Sequence, residues 1–471
     1  MEIKLHNTYS QKIETLKPTN ADGVIRMYCC GPTVYNYAHI GNLRSYLFED
    51  ILRKTISRAG YPIKHVMNIT DVGHLTSDAD SGDDKMLLAA EKEKKSVLDI
   101  ARKYEDAFFE HEKALNITRP DVICRATEHI DDMIKFVETL EDKGYAYFAN
   151  GNVYFDTSKF KDYGRLSGQN REDLRHGARV ETDNNKRNPS DFVLWFTSSK
   201  FKDQILQWDT KWGRGYPGWH IECSTMSIKH LGEQLDIHCG GVDHIAVHHE
   251  NEIAQSEAYL GHKWCNLWIH GEFLQMKNDE KMSKSKGNFI TLDTLSEKGY
   301  LPLHYRYLVL TSHYRSPLVF SYENLDAAAS AYNKLKAKYA EFAAEPKAEV
   351  SAEDQKAYEA YIKEFDDYMF NDLKTAQALA LLWKVVKDKD LPASLKVKFI
   401  DSAEQIFCLD LAKVDDKKEA VDDEVAALVA ERKQARIDKN WVKSDEIRDL
   451  LAQRGIILKD LPNNEVEITI K

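Results

Sequence analysis

The sequence predicts an α/β protein in which a parallel sheet is split by an insertion and followed by a helical bundle and a small α+β C-terminal domain. Three observations carry that expectation: two strand-helix-strand units far apart in the chain, an alanine-rich helical tract after Tyr322, and a closing segment of two helices and two strands.

Residues 23–30 are rich in β-forming side chains and run into Gly31-Pro32, which predicts a buried strand ending in a loop. Leu43, Leu47 and Ile51 then recur at helical spacing beside Phe48 and Leu52. Gly60 and Pro62 stop that pattern before a second apolar run over 63–69. This is one strand-helix-strand unit, and residues 235–239, 248–259 and 264–269 form another. The region between them reads as an insertion. Its helices over 86–115 and 130–143 precede a hairpin over 145–155 that turns at Asn150-Gly151-Asn152, and 165–187 is polar and Arg-rich. From 322 to 411 the pattern is helical with little glycine, so a bundle is expected. A charged linker over 415–419 leads to helices over 423–437 and 441–454 and strands over 456–459 and 466–470, around Pro462-Asn463-Asn464.

The expected domains are a first catalytic half (1–120), a connective insertion (121–207), a second catalytic half (208–270), a junction (271–320), the bundle (321–413) and the C-terminal domain (420–471). A chain of 471 residues exceeds one ordinary core, in keeping with that division. Seven cysteines, odd in number and scattered, suit reduced thiols better than a disulfide framework. Together with an N-terminal stretch lacking a signal-peptide pattern and no apolar run fit to cross a bilayer, they predict a soluble cytoplasmic protein with no membrane partner. A net charge of −11 argues against indiscriminate nucleic-acid binding, which rests on phosphate neutralisation, and leaves room for a local basic surface.

The segment His39-Ile40-Gly41-Asn42 falls between a predicted strand and helix, where helix N-terminal amides can receive phosphates. After the second strand-helix-strand unit comes Lys281-Met282-Ser283-Lys284-Ser285, a charged loop at the strand C-terminal ends where an open parallel sheet binds ligands. Either string alone has a bland reading, a capped helix or a solvated lysine loop. Their ordered pairing resembles the HIGH and KMSKS motifs of the class I aminoacyl-tRNA synthetases, which bind ATP on a Rossmann-like fold interrupted by an insertion. Asn42 replaces the second histidine of HIGH and is a neutral donor. The resemblance implies ATP as substrate, with Mg2+, bound by His39, Gly41, Asn42, Lys281 and Lys284. Of these, His39, Asn42, Lys281 and Lys284 are expected to act on the phosphates during catalysis.

Cys30, Cys223, His248 and Glu252 look like a metal set: thiolate, thiolate, imidazole and carboxylate suit zinc, and the last two share a helix face four residues apart. Taken singly, each is more often a core or solvated residue. Cys29 is expected to point to the opposite face of its strand, His249 to turn away from His248, and Cys239 has no assigned role. The strings YCCGPTVY, PGWHIECS and HHENEIAQ around these positions resemble the cysteinyl-tRNA synthetase family, whose single zinc ion the four residues match. That resemblance implies a cysteine pocket lined by Gly31, Thr70, Trp219 and His238. It also implies rejection of serine at the metal, because a hydroxyl gives up its proton far less readily than a thiol. The partners implied are L-cysteine, ATP and tRNA(Cys), acting on a monomer.

Arg436, Trp441, Asp445, Arg448 and Asp460 are similar to that family's anticodon-reading tail, in which a ring stacks on a base and carboxylates accept from base amino groups. Trp441 as a helix-core residue and Asp445 as a capping or solvent group are open alternatives. Two other functions compete: a related ligase that delivers cysteine to an amino sugar, against which the long region after Tyr322 speaks, and an inactive tRNA-binding paralogue.

Overall fold

The computed structural model describes residues 1–72, 86, 89–90, 93, 95–168, 186–197, 206–277, 289–346, 349–413, 423–438, 440–453, 456–460 and 466–470. The chain divides into two compact units, 1–411 and 412–471.

In the larger unit, five parallel strands lie in the order Cys265–Gly271, Leu235–Gly241, Ile25–Cys29, Ile63–Ile69, Val122–Arg125. The first strand in sequence is thus central, and the order runs outward from it in both directions. Such a reversal opens a crevice at the strand C-terminal ends, here between Cys29 and Gly241. The helices Ile40–Arg58 and His248–Leu260 are the crossovers that parallel pairing requires. Alternation along the central strand sends consecutive residues to different cores: Cys29 packs with Leu47, Ile51 and Cys239, while Tyr28 and Cys30 pack with Cys223, Ile253 and Trp268.

The insertion is built on a second sheet, antiparallel, in the order Ala146–Ala149, Asn152–Phe155, Phe192–Phe196, Gly213–Pro217, Trp208–Thr210. Its hairpin turns through Asn150 and Gly151 at φ of 46° and 87°, the pair of positive values that a tight two-residue turn needs. The single helix expected over 86–115 is interrupted: Ser96 caps a new helix, Val97–Ala114, its hydroxyl accepting from the Asp99 amide. Helical periodicity continues on both sides of that cap, which is why it hid the break.

Four helices, Tyr322–Ala344, Ala352–Met369, Thr375–Lys387 and Ala393–Phe407, form the bundle. It is tied to the catalytic half by Arg306, fully buried, whose guanidinium meets Asp50 at 2.8 Å and donates to the carbonyls of Leu115, Ile406 and Phe407. The smaller unit pairs helices Asp423–Ile437 and Trp441–Gln453 with antiparallel strands Ile456–Asp460 and Val466–Ile470, around Val425, Ile447, Leu451 and Ile456.

Candidate functional site

Cys30 directly follows the central strand, and its amide still donates to Cys239 of the neighbouring strand. Its thiol therefore enters the crevice at the place fixed by the sheet. Cys223 comes up from the first turns of the helix Trp219–Leu231, and the two sulfurs are 3.9 Å apart. From the opposite side, the N-terminal part of His248–Leu260 brings Glu252 Oε1 to 3.9 Å from Cys30 Sγ. His248 Nε2 is 2.9 Å from Glu252 Oε1 but too poorly directed for a hydrogen bond. The ligand atoms of Cys30, His248, His249 and Glu252 all lie within 4.8 Å of one another, and all four residues are buried.

His249 corrects the sequence reading, which set it aside. Its Nε2 is 3.4 Å from Cys30 Sγ, held there by a 2.7 Å hydrogen bond from Nδ1 to His270, which in turn meets Thr8 at 2.8 Å. Successive residues on a helix diverge by about 100°, but a focus lying over the helix end is reached by both. Cys29 does point away, as expected, and packs in the same core cluster as Cys239. Cys239, unassigned in the sequence, belongs to that rear face.

The charges in the cluster depend on one another. Burial opposes ionisation of Cys223, but hydrogen bonding with Cys30 and the adjoining His248 bring its thiol down to about 6. Burial likewise opposes a charged His248, and Glu252 and Cys223 override it, raising the imidazole to about 10. Glu252 is held well below the usual carboxylate range, against burial, by His238 and His248. Burial raises Cys30 and, aided by neighbouring histidines, lowers His249. A thiolate, a carboxylate and a proton-hungry imidazole facing one focus fit a divalent cation in place of that proton.

Of the expected cysteine-pocket residues, Trp219 and His238 touch the cluster. Trp219 stacks on His248 with ring centroids 4.0 Å apart, and His238 Nε2 lies 2.9 Å from Glu252 Oε2. Thr70 donates to Glu222 at 2.8 Å, fixing the residue next to Cys223. At Gly31 an added Cβ would stand 1.7 Å from the Asn68 carbonyl oxygen, so only glycine permits the chain to pass there.

His39 and Asn42 cap the helix Ile40–Arg58 reciprocally: the Asn42 amide donates to His39 Nδ1, and the His39 amide donates to Asn42 Oδ1, each at 3.1 Å. Gly41 is in the first turn. The Ile40 amide donates to Ile290 at 2.9 Å and the Phe289 ring meets His39 edge-on, so this helix start is fastened to the residues just after the lysine loop. Lys281 and Lys284 lie outside the described residues.

In the smaller unit Trp441 is 56% exposed, which removes the core reading, and the Arg436 guanidinium sits 5.9 Å from its ring centre. Asp445 is exposed and pairs with Arg448 at 3.2 Å. Asp460 ends the strand Ile456–Asp460.

An interrupted parallel sheet with this helix start is the architecture of class I tRNA synthetases, and the family model for the tRNA synthetases class I (C) catalytic domain matches residues 16–330. The fold agrees with Mycobacterium tuberculosis methionyl-tRNA synthetase in complex with methionyl-adenylate, with a TM-score of 0.55 at 15% identity, covering 83% of this chain and 90% of that one. The cysteine–tRNA ligase of Treponema denticola is 50% identical over 484 residues, 98% of each chain, and cysteine–tRNA ligase 1 of Burkholderia lata is 46% identical, covering 99% of this chain and 96% of its own. The chain belongs to the cysteine–tRNA ligase family of aminoacyl-tRNA synthetases.

Proposed function

We propose that the chain activates L-cysteine with ATP, forming cysteinyl-adenylate and pyrophosphate, and then transfers cysteine to the 3′ end of tRNA(Cys). The observation that carries this reading is the convergence of Cys30, Cys223, His248 and Glu252 in the crevice at the strand ends, beside the capped helix start. The relatives' names support cysteine and a tRNA as substrates.

These four residues would hold one zinc ion, with His249 adjoining. Bound zinc would take the substrate thiol as a thiolate and leave a serine hydroxyl unbound. Trp219, His238, Thr70 and Gly31 then shape the space around the cysteine. The amino-acid carboxylate is already a nucleophile, so the α-phosphate needs charge stabilisation and alignment more than a base. Asn42 uses its carbonyl oxygen on the cap, which leaves its NH2 to donate to a phosphate. The His39 ring adds to that, Gly41 admits the nucleotide closely, and Lys281 and Lys284 neutralise the departing pyrophosphate with Mg2+. In the tail, exposed Trp441 would stack on an anticodon base, with Arg436, Asp445 and Asp460 beside it. The six domains given above, and a cytoplasmic monomer, complete the proposal. Among the described residues no helix is long and apolar enough to cross a membrane.

Cysteine-dependent ATP-pyrophosphate exchange, measured against serine and followed by tRNA charging, tests this. Exchange with cysteine alone, lost on removal of zinc, is the expected result. Exchange with neither amino acid, or equally with both, would refute it.

A further inference from the structure

We infer that Glu250 is a positioning residue for the metal-binding helix, working by clamping a turn of the insertion onto its first turn. The inference rests on the zinc reading above.

The helix His248–Leu260 begins abruptly. Its N-cap, Val247, has φ −132° and ψ −62° and supplies no side-chain cap, so the first-turn amides lack the hydroxyl or carboxylate partner that usually secures a helix start. Yet this turn carries His248 and His249, and Glu252 follows directly after it. Uncapped ends fray, and ligands placed there need another restraint to stay in register.

Glu250 supplies one. It is 1% exposed, and its two carboxylate oxygens accept from two backbone amides of one turn, Gly164 at 2.8 Å and Ser167 at 2.9 Å. Gly164 presents its amide at φ 94°, a conformation suited to glycine. The next residue extends the clamp, since Tyr163 donates its phenol to Asn251 Oδ1 at 2.6 Å. Arg165, in the same turn, lies 4.7 Å from the ring centre of Tyr9. A buried carboxylate with two amide donors is directional and strong. Glu250 also places negative charge at the positive end of the helix. None of these contacts touches the focus at Cys30. Their effect on chemistry runs through the angle and register of the helix that bears two of the four proposed ligands.

Glu250→Gln keeps the shape but can accept only one of the two amides. Zinc affinity, measured by titrating the full-length holoenzyme with a competing chelator, is expected to fall about 10–100-fold. In exchange assays at saturating zinc, KM for cysteine should rise while KM for ATP stays within about twofold, a split that general loss of stability does not produce. Tyr163→Phe, which removes a single hydroxyl, should show the same pattern more weakly and decides the matter if Glu250→Gln does not fold. Wild-type protein without stoichiometric zinc would overturn the metal reading and this inference with it. Stoichiometric zinc in wild type with unchanged affinity in the folded variant would overturn the positioning role alone.

Discussion

Cys29 and Cys30 are adjacent in the chain and lie on opposite faces of the central strand, and the two faces use buried ionisable groups in opposite ways. On the Cys30 side, Cys30, His248, His249 and Glu252 converge, Cys223 meets Cys30, and their charges are stabilised by each other. On the Cys29 side, Glu49 is pushed well up by burial, and Glu112 rises to about 8 through burial and nearby Asp50. Asp50 there stays charged only because Arg306 and Lys54 meet it. Burial of titratable groups therefore does not by itself mark a site. What marks it is convergence on one focus of donors that suit one cation.

The largest expected effect comes from breaking the convergent face. Cys223→Ser should reduce zinc from one per chain to a trace and lower cysteine-dependent exchange by about a thousandfold, since it removes the thiol most readily ionised in the cluster and a serine hydroxyl is a far poorer zinc ligand. Metal analysis and exchange on the same preparation check it. On the rear face, Arg306→Ala should leave zinc in place and cost about 3–5 kcal/mol of stability, because buried Asp50 keeps Lys54 as its one charged partner and the carbonyls of Leu115, Ile406 and Phe407 lose their donor. Denaturant unfolding measures that.

Glu112 sharpens the contrast through pH. Its folded-state pKa is raised, so its contribution to stability is fully present below about 4.5 and is lost as pH rises through about 8. Both carboxylate oxygens are buried without a hydrogen-bond partner among the described residues. Glu112→Gln should therefore flatten the decline in stability across that window, seen in melting temperatures recorded against pH. The smallest effect is expected of Cys29→Ala: one zinc retained, exchange unchanged, and about 1 kcal/mol lost from the core.

Much of this division was legible in the sequence. The two strand-helix-strand units placed Cys30 and His248 at strand and helix ends, and alternation separated Cys29 from Cys30. Period arguments failed where a restraint was local or tertiary. The Ser96 cap interrupts a helix without interrupting its apolar spacing, and His249 joins the focus because the focus lies over the helix end. Glu250 was invisible for a different reason: its partners are backbone amides of a turn more than eighty residues earlier, and amides leave no trace in side-chain pattern.

The most direct test of the central claim is to strip the metal with a chelator and follow cysteine-dependent ATP-pyrophosphate exchange as zinc is titrated back. The account predicts activity that rises in proportion to added zinc and levels off at one ion per chain, with serine inactive throughout. Full exchange with cysteine in the metal-free protein would contradict it.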